Sequence, residues 1–114
     1  MTKIYKICDE SFWRAAESFG VFSGSADDLR DGFIHFSTAA QARETAAKHF
    51  AGRSGLLLIA FEAEALGLEL RWEPSRGGAL FPHLHRALNP EEALWSEPLP
   101  LGPDGAHVFP PGMI

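Results

Sequence analysis

The stretch Phe33-Ile34-His35-Phe36-Ser37-Thr38-Ala39-Ala40-Gln41 decides the fold. Its first four residues have the composition of a strand, and a period of two puts Phe33, His35 and Ser37 on one face and Ile34, Phe36 and Thr38 on the other. Thr38, followed three residues later by Gln41, has capping-box spacing: the hydroxyl accepts from the N3 backbone N–H and the amide reaches back to the cap. The stretch therefore predicts a strand, a sharp corner and a helix ending near Gly52, with Ala39, Ala42, Ala46 and Phe50 as its inward stripe. Side chains as small as Ala let that helix lie close against a sheet.

Working outward, Leu56-Leu57-Leu58-Ile59-Ala60-Phe61 is apolar on both faces and reads as the central strand. Lys3 to Cys8 reads as an edge-like or partly buried strand. Asp9 or Ser11 then caps a helix whose stripe of Phe12, Ala15, Ala16 and Phe19 faces the core and which Gly20 stops. Residues Val21 to Gly32, rich in Gly, Ser and Asp, form a long surface loop. Leu68 to Glu73 alternates as a strand, with Leu68, Leu70 and Trp72 on one side and Glu69, Arg71 and Glu73 on the other. Pro74 to Ala79 is a turn, Phe81 to His85 an extended segment that Pro82 places at an edge, and short strands follow near Ala93–Trp95 and His107–Phe109. Trp13 and Trp72 are expected in the core. The expected class is α+β: small, mainly antiparallel sheets with two to three helices, in a single domain over residues 1–114.

Ten Lys and Arg against fifteen Asp and Glu give a net charge of −5, which argues against an extended nucleic-acid surface while leaving room for a local cationic pocket. The apolar run from Leu56 to Phe61 is far short of the roughly 20 residues a membrane-spanning helix needs, and charges stand where a signal peptide would be apolar. A cytoplasmic protein without a membrane partner is expected. The single Cys8 offers neither an internal disulfide nor a thiolate metal cluster. The sequence contains no H-E-x-x-H, P-loop or G-x-G-x-x-G, and Gly20-Val21-Phe22-Ser23-Gly24 lacks the preceding strand of a nucleophile elbow.

His35 is the first candidate for chemistry, because it shares a face with Ser37 immediately before a helix N-terminus, where free N–H groups favour polar ligands. A buried His satisfied by a neighbour is the structural alternative. Arg71 and Glu73 share a strand face, where they form either an exposed ion pair or, with Glu73 reaching into a cleft, a group that offsets positive charge. His83 and His85 point the same way in an extended segment, a spacing that suits a strand-borne metal site as well as ligand contact.

Ile4-Tyr5-Lys6-Ile7, Trp13 with Ala16 and Gly20, Asp31 to Thr38, Arg71-Trp72-Glu73 and Phe81-Pro82-His83-Leu84, taken together and in order, resemble the bacterial domain-of-unknown-function family 952 through about Leu88. The resemblance implies a compact ADP-ribosyltransferase-like fold, in which two small sheets flank an NAD-binding cleft. It further implies that Lys6 stands where such transferases carry a first-strand Arg or His, that Ser37 and Thr38 supply the hydroxyl pair of the nicotinamide pocket, and that Glu73 is the late Glu stabilising an oxocarbenium-like transition state.

The expected protein has a polar cleft in which Glu73 and His35 are catalytic and Ser37, Thr38, Arg71, His83 and Lys6 bind ligand. Its partner is a small nucleotide-like or sugar-phosphate molecule, with NAD as the cofactor the resemblance implies. Its activity is transfer or hydrolysis at a glycosidic carbon. A non-catalytic binding or interaction module using the same cleft is the alternative.

Overall fold

The computed structural model describes residues 1–111 and Met113, with Arg76 followed along its backbone alone. The apolar run forms β4 (Leu56–Glu62), which alternates between two cores: Leu57, Ile59 and Phe61 enter one, Leu56, Leu58 and Ala60 the other. Burial on both faces requires covering layers on both sides. β4 pairs antiparallel with β1 (Lys3–Asp9) and with β7 (Trp95–Pro98), and β1 pairs in turn with β3 (Ser37–Thr38), giving the order β3-β1-β4-β7. A second antiparallel sheet has the order β2-β6-β5, from Ile34–His35, Leu80–Leu84 and Leu70–Pro74. With α1 (Glu10–Phe19), α2 (Ala26–Asp31) and α3 (Ala39–His49), the class is α+β.

α1 and the second sheet cover one face of the larger sheet around Trp13, Phe22, Ile34, Phe61 and Leu84. Trp13 packs its ring against Phe22 and Phe61 at centroid distances of 5.4 and 6.2 Å. α3 covers the opposite face through Ala42 and Ala46, together with Leu99, Phe109 and Met113. The capping box forms as its spacing predicts: the Thr38 hydroxyl accepts from the Gln41 N–H at 3.2 Å, and the Gln41 side chain accepts from the Thr38 N–H at 3.0 Å. Thr38→Ala should therefore lower stability by about 1 kcal/mol, measured as an earlier denaturant midpoint with an unchanged slope. Among the described residues no helix is long and apolar enough to cross a membrane.

Several expectations need correction. β1 is an interior strand, because β3 covers its second edge along Ile4 and Tyr5. The inward residues of α1 are Trp13 and Ala16, while Phe12 and Phe19 are exposed; the bulk of Trp13 sets the rotation of the helix. Asp9 precedes that helix without capping it, its carboxylate being held by Arg53 at 2.9 Å. Residues Val21 to Gly32 contain α2, closed by a second capping box between Ser25 and Asp28. Leu68 and Trp72 are exposed, since β5 is an edge strand and Leu70 alone of that trio packs on the core.

β6, which contains Pro82, is the central strand of its sheet rather than an edge. The Pro82 carbonyl accepts from Phe36 N–H at 3.0 Å, at the point where β2 has already ended. In an extended strand the N–H and C=O of one residue point to the same side, so the donor that Pro lacks falls beyond the β2 ladder and costs no ladder bond.

Candidate functional site

The strand expected from Phe33 to Thr38 is divided between the sheets: Ile34 and His35 join β6, the chain crosses at Phe36, and Ser37 and Thr38 join β1. Past Tyr5, β1 has no strand partner on that side among the described residues, and the gap between its edge and β6 is a cleft of about 220 Å³. Lys6, Asp28, His35, Ser37 and His83 are among its wall residues. Lys6, His35, Ser37 and His83 are thus brought together as the sequence suggested, and Asp28 joins them from a segment expected to be loop.

Asp28 is the hub of one side. Its Oδ2 lies 2.7 Å from Lys6 Nζ and accepts from Ser25 N–H at 2.9 Å, while its Oδ1 accepts from Lys6 at 3.0 Å, from His35 N–H at 3.1 Å and lies 2.6 Å from His35 Nδ1. Burial raises the pKa of its carboxyl, but the hydrogen bond from His35 and the charge of Lys6 outweigh that and hold it far below the usual carboxylate range. His35 Nε2 meets Asp31 Oδ2 at 3.0 Å. Both ring nitrogens of His35 are thus held against carboxylates.

The other side is built across the second sheet. His35 pairs with His83 and His83 with Arg71, which places the three in one row on one face. Glu73, two residues from Arg71, accepts on one oxygen, Oε1, from His83 Nδ1 and from His85 Nε2, each at 2.8 Å. Those bonds hold the Glu73 carboxyl below its ordinary value. Burial pushes His83 below the ordinary imidazole value, against the opposing pull of Glu73. With Nδ1 turned to the Glu73 carboxylate, Nε2 of His83 has no partner among the described residues. Phe33 stacks on that ring at 4.0 Å and 24°, and contacts His35 and His85 as well.

The remaining candidates are placed as follows. Ser37 is buried, its hydroxyl 3.0 Å from that of Thr45. Thr38 is engaged in the cap of α3 and lies outside the cleft walls. Arg71 is exposed beyond the walls, and Glu73 reaches the cleft through His83. Both His83 and His85 turn to Glu73, and among the described residues no group of three His, Cys, Asp or Glu side chains is arranged to hold a metal. Cys8 is buried, which pushes its thiol up to about 12. Asp28, Asp31 and Phe33 were not recognised as site residues; the Ser25-x-x-Asp28 spacing was the signal that could have placed a helix there.

Residues 7–96 match the family described as protein of unknown function DUF952. The chain is similar to the crystal structure of protein CC0527 from Caulobacter crescentus, with 53% identity, a TM-score of 0.90 and 94% of each chain covered. A crystal structure of a double mutant of that protein is similar at 52% identity, a TM-score of 0.90 and the same 94% coverage of each chain. Its solution NMR structure is similar at 55% identity and a TM-score of 0.85, over 93% of this chain and 91% of the other. No curated protein matches the chain.

Proposed function

The chain belongs to the DUF952 family of proteins of unknown function, and on that premise we propose that its cleft binds a small nucleotide-like ligand, NAD or a related ribosyl compound, and acts on it as a transferase or glycohydrolase. The observation that carries this reading is the Glu73–His83 pair: a buried imidazole in the cleft wall, oriented at 2.8 Å by a carboxylate, with its second nitrogen without a partner among the described residues. Such an arrangement is suited to general-base work, because the carboxylate fixes the tautomer and stabilises the imidazolium that forms.

In the reaction, an acceptor water or hydroxyl loses its proton to His83 Nε2 as its oxygen bonds to the glycosidic carbon. The bond from that carbon to the leaving base breaks, and its electron pair departs with the base. His83 then gives the proton to solvent. His35 Nε2 exchanges Asp31 for a ligand hydroxyl, and Arg71 meets an anionic group lying outside the cleft. Glu73 is a positioning residue in this scheme, acting through His83. The likeness to an ADP-ribosyltransferase fold belongs to the same proposal; what supports it is the pair of small sheets with a cleft between them.

A second reading, a non-catalytic binding module, is favoured by Lys6: the first-strand cation is already paired with Asp28. Incubation with NAD, scored for released nicotinamide, separates the two. The catalytic reading expects release that Glu73→Gln lowers at least tenfold; identical background rates in both proteins would leave the binding module. Thermal stabilisation by NAD or ADP-ribose without turnover supports that module, since a ligand at about 100 times its dissociation constant adds about 2.7 kcal/mol.

A further inference from the structure

The charges of the cleft walls constrain what enters it. Among the described wall residues, two cations, Lys6 and Arg30, face three carboxylates, Asp27, Asp28 and Asp31. Each cation is already matched: Lys6 by Asp28 at 2.7 Å, Arg30 by Asp27 at 3.2 Å and by Asp31 at 3.0 Å. A phosphate entering here would have to displace a carboxylate from its cation and would meet the like charge of the others, a cost that grows where burial limits solvent screening. The volume, about 220 Å³, lies below the roughly 300–1,000 Å³ of pockets that enclose a drug-sized molecule, so one ring or one sugar is admitted at a time.

The walls also supply what an uncharged or cationic ring would use. Phe36, Phe50 and Phe81 give apolar area, Ser37 a hydroxyl, and His83 an acceptor nitrogen. The ammonium of Lys6 has three protons, and the described contacts engage it with Asp28 alone, so a donor remains for a ligand carbonyl.

We infer that the cleft selects a single uncharged or cationic ring or sugar, a nucleoside-type group, and excludes phosphate. This rests on the proposed ligand class and specifies which end of it is bound. Phosphates of a larger ligand remain outside, on the side of Arg71, and contribute little to affinity.

Thermal shift and calorimetric titration with adenosine, nicotinamide riboside, adenosine 5′-monophosphate and inorganic phosphate test the inference. The expected result is stabilisation by at least one riboside, no stronger binding of the monophosphate than of adenosine, and no response to or competition by inorganic phosphate. A monophosphate that binds more tightly than its nucleoside, or phosphate that competes, would overturn phosphate exclusion while leaving the ligand class intact. No response to any riboside or nucleotide would remove the ligand class itself. The double substitution Asp27→Asn with Asp31→Asn frees Arg30 and should tighten monophosphate binding about tenfold, since a dianion then gains a partner and loses two repelling charges. Unchanged monophosphate affinity in that variant would show that wall charge does not set the selection.

Discussion

Asp28→Ala should lower the stability of the protein by about 3–5 kcal/mol, because it leaves the Lys6 ammonium buried without its counter-charge. Lys6 is 4% exposed and Asp28 2%, so solvent replaces the lost partner only poorly. The same change removes the acceptor of His35 Nδ1, of His35 N–H and of Ser25 N–H, so α2 and β2 lose their common anchor. Urea denaturation would show the loss as an earlier midpoint. The double variant Asp28→Ala with Lys6→Met removes both charges and should recover most of the stability; failure of that rescue would mean that the backbone bonds of Asp28 outweigh its ion pair. The pH dependence has a definite direction. The folded pKa of Asp28 is depressed, so its contribution is complete above the unfolded value of about 3.9 and is lost as pH falls below it toward the folded value. Stability should therefore decline below about pH 4 in the native protein, and the double variant should lose that part of the acid sensitivity.

His83→Asn should reduce turnover by about 10²–10⁴-fold, the usual contribution of a general base. The Asn amide can take over the donor at Nδ1 and keep the bond to Glu73, while the second ring nitrogen disappears. Ligand affinity measured by calorimetry should change far less than turnover, and equal losses in both would place His83 in ligand holding rather than proton transfer. In the native protein, burial holds His83 below its ordinary value, so under the catalytic reading the acid limb of the rate profile should lie below about pH 6.5. A limb at or above that value would remove His83 from the role of base.

Local signals were sufficient for the elements that depend on neighbouring residues. The Thr38–Gln41 box, the Gly20 stop of α1 and the doubly buried β4 all follow from short-range spacing and composition. That His35 and Ser37 line the same cleft was legible for the same reason, although one strand became two and Phe36, expected on the opposite face, lines it as well. What the sequence withheld were consequences of distant partners. Asp28 is decisive because β1 brings Lys6 to it across 22 residues, and a six-residue helix is too short to show a period. Trp72 looks like core by alternation, yet its exposure depends on β5 lying at an edge, which only the assembled sheet reveals. Pro82 suggests an edge until the early end of β2 removes the need for its missing donor. Glu73 was placed on the correct face, but its engagement by two imidazoles required the register of β5 on β6.

The crossing at Phe36 has a mechanical consequence. His35 and Ser37 belong to opposite sheets but are separated by two peptide units, a tether of about 7 Å. The jaws of the cleft are therefore fixed at one end by covalent bonds, and the sheets cannot slide apart to admit a larger guest. Any fitting around a ligand falls to parts not so tethered, such as the turn at Gly77-Gly78, both glycines lying at positive φ. The protein is built as a vice with one immovable end, whose aperture is a property of the chain's own bond lengths.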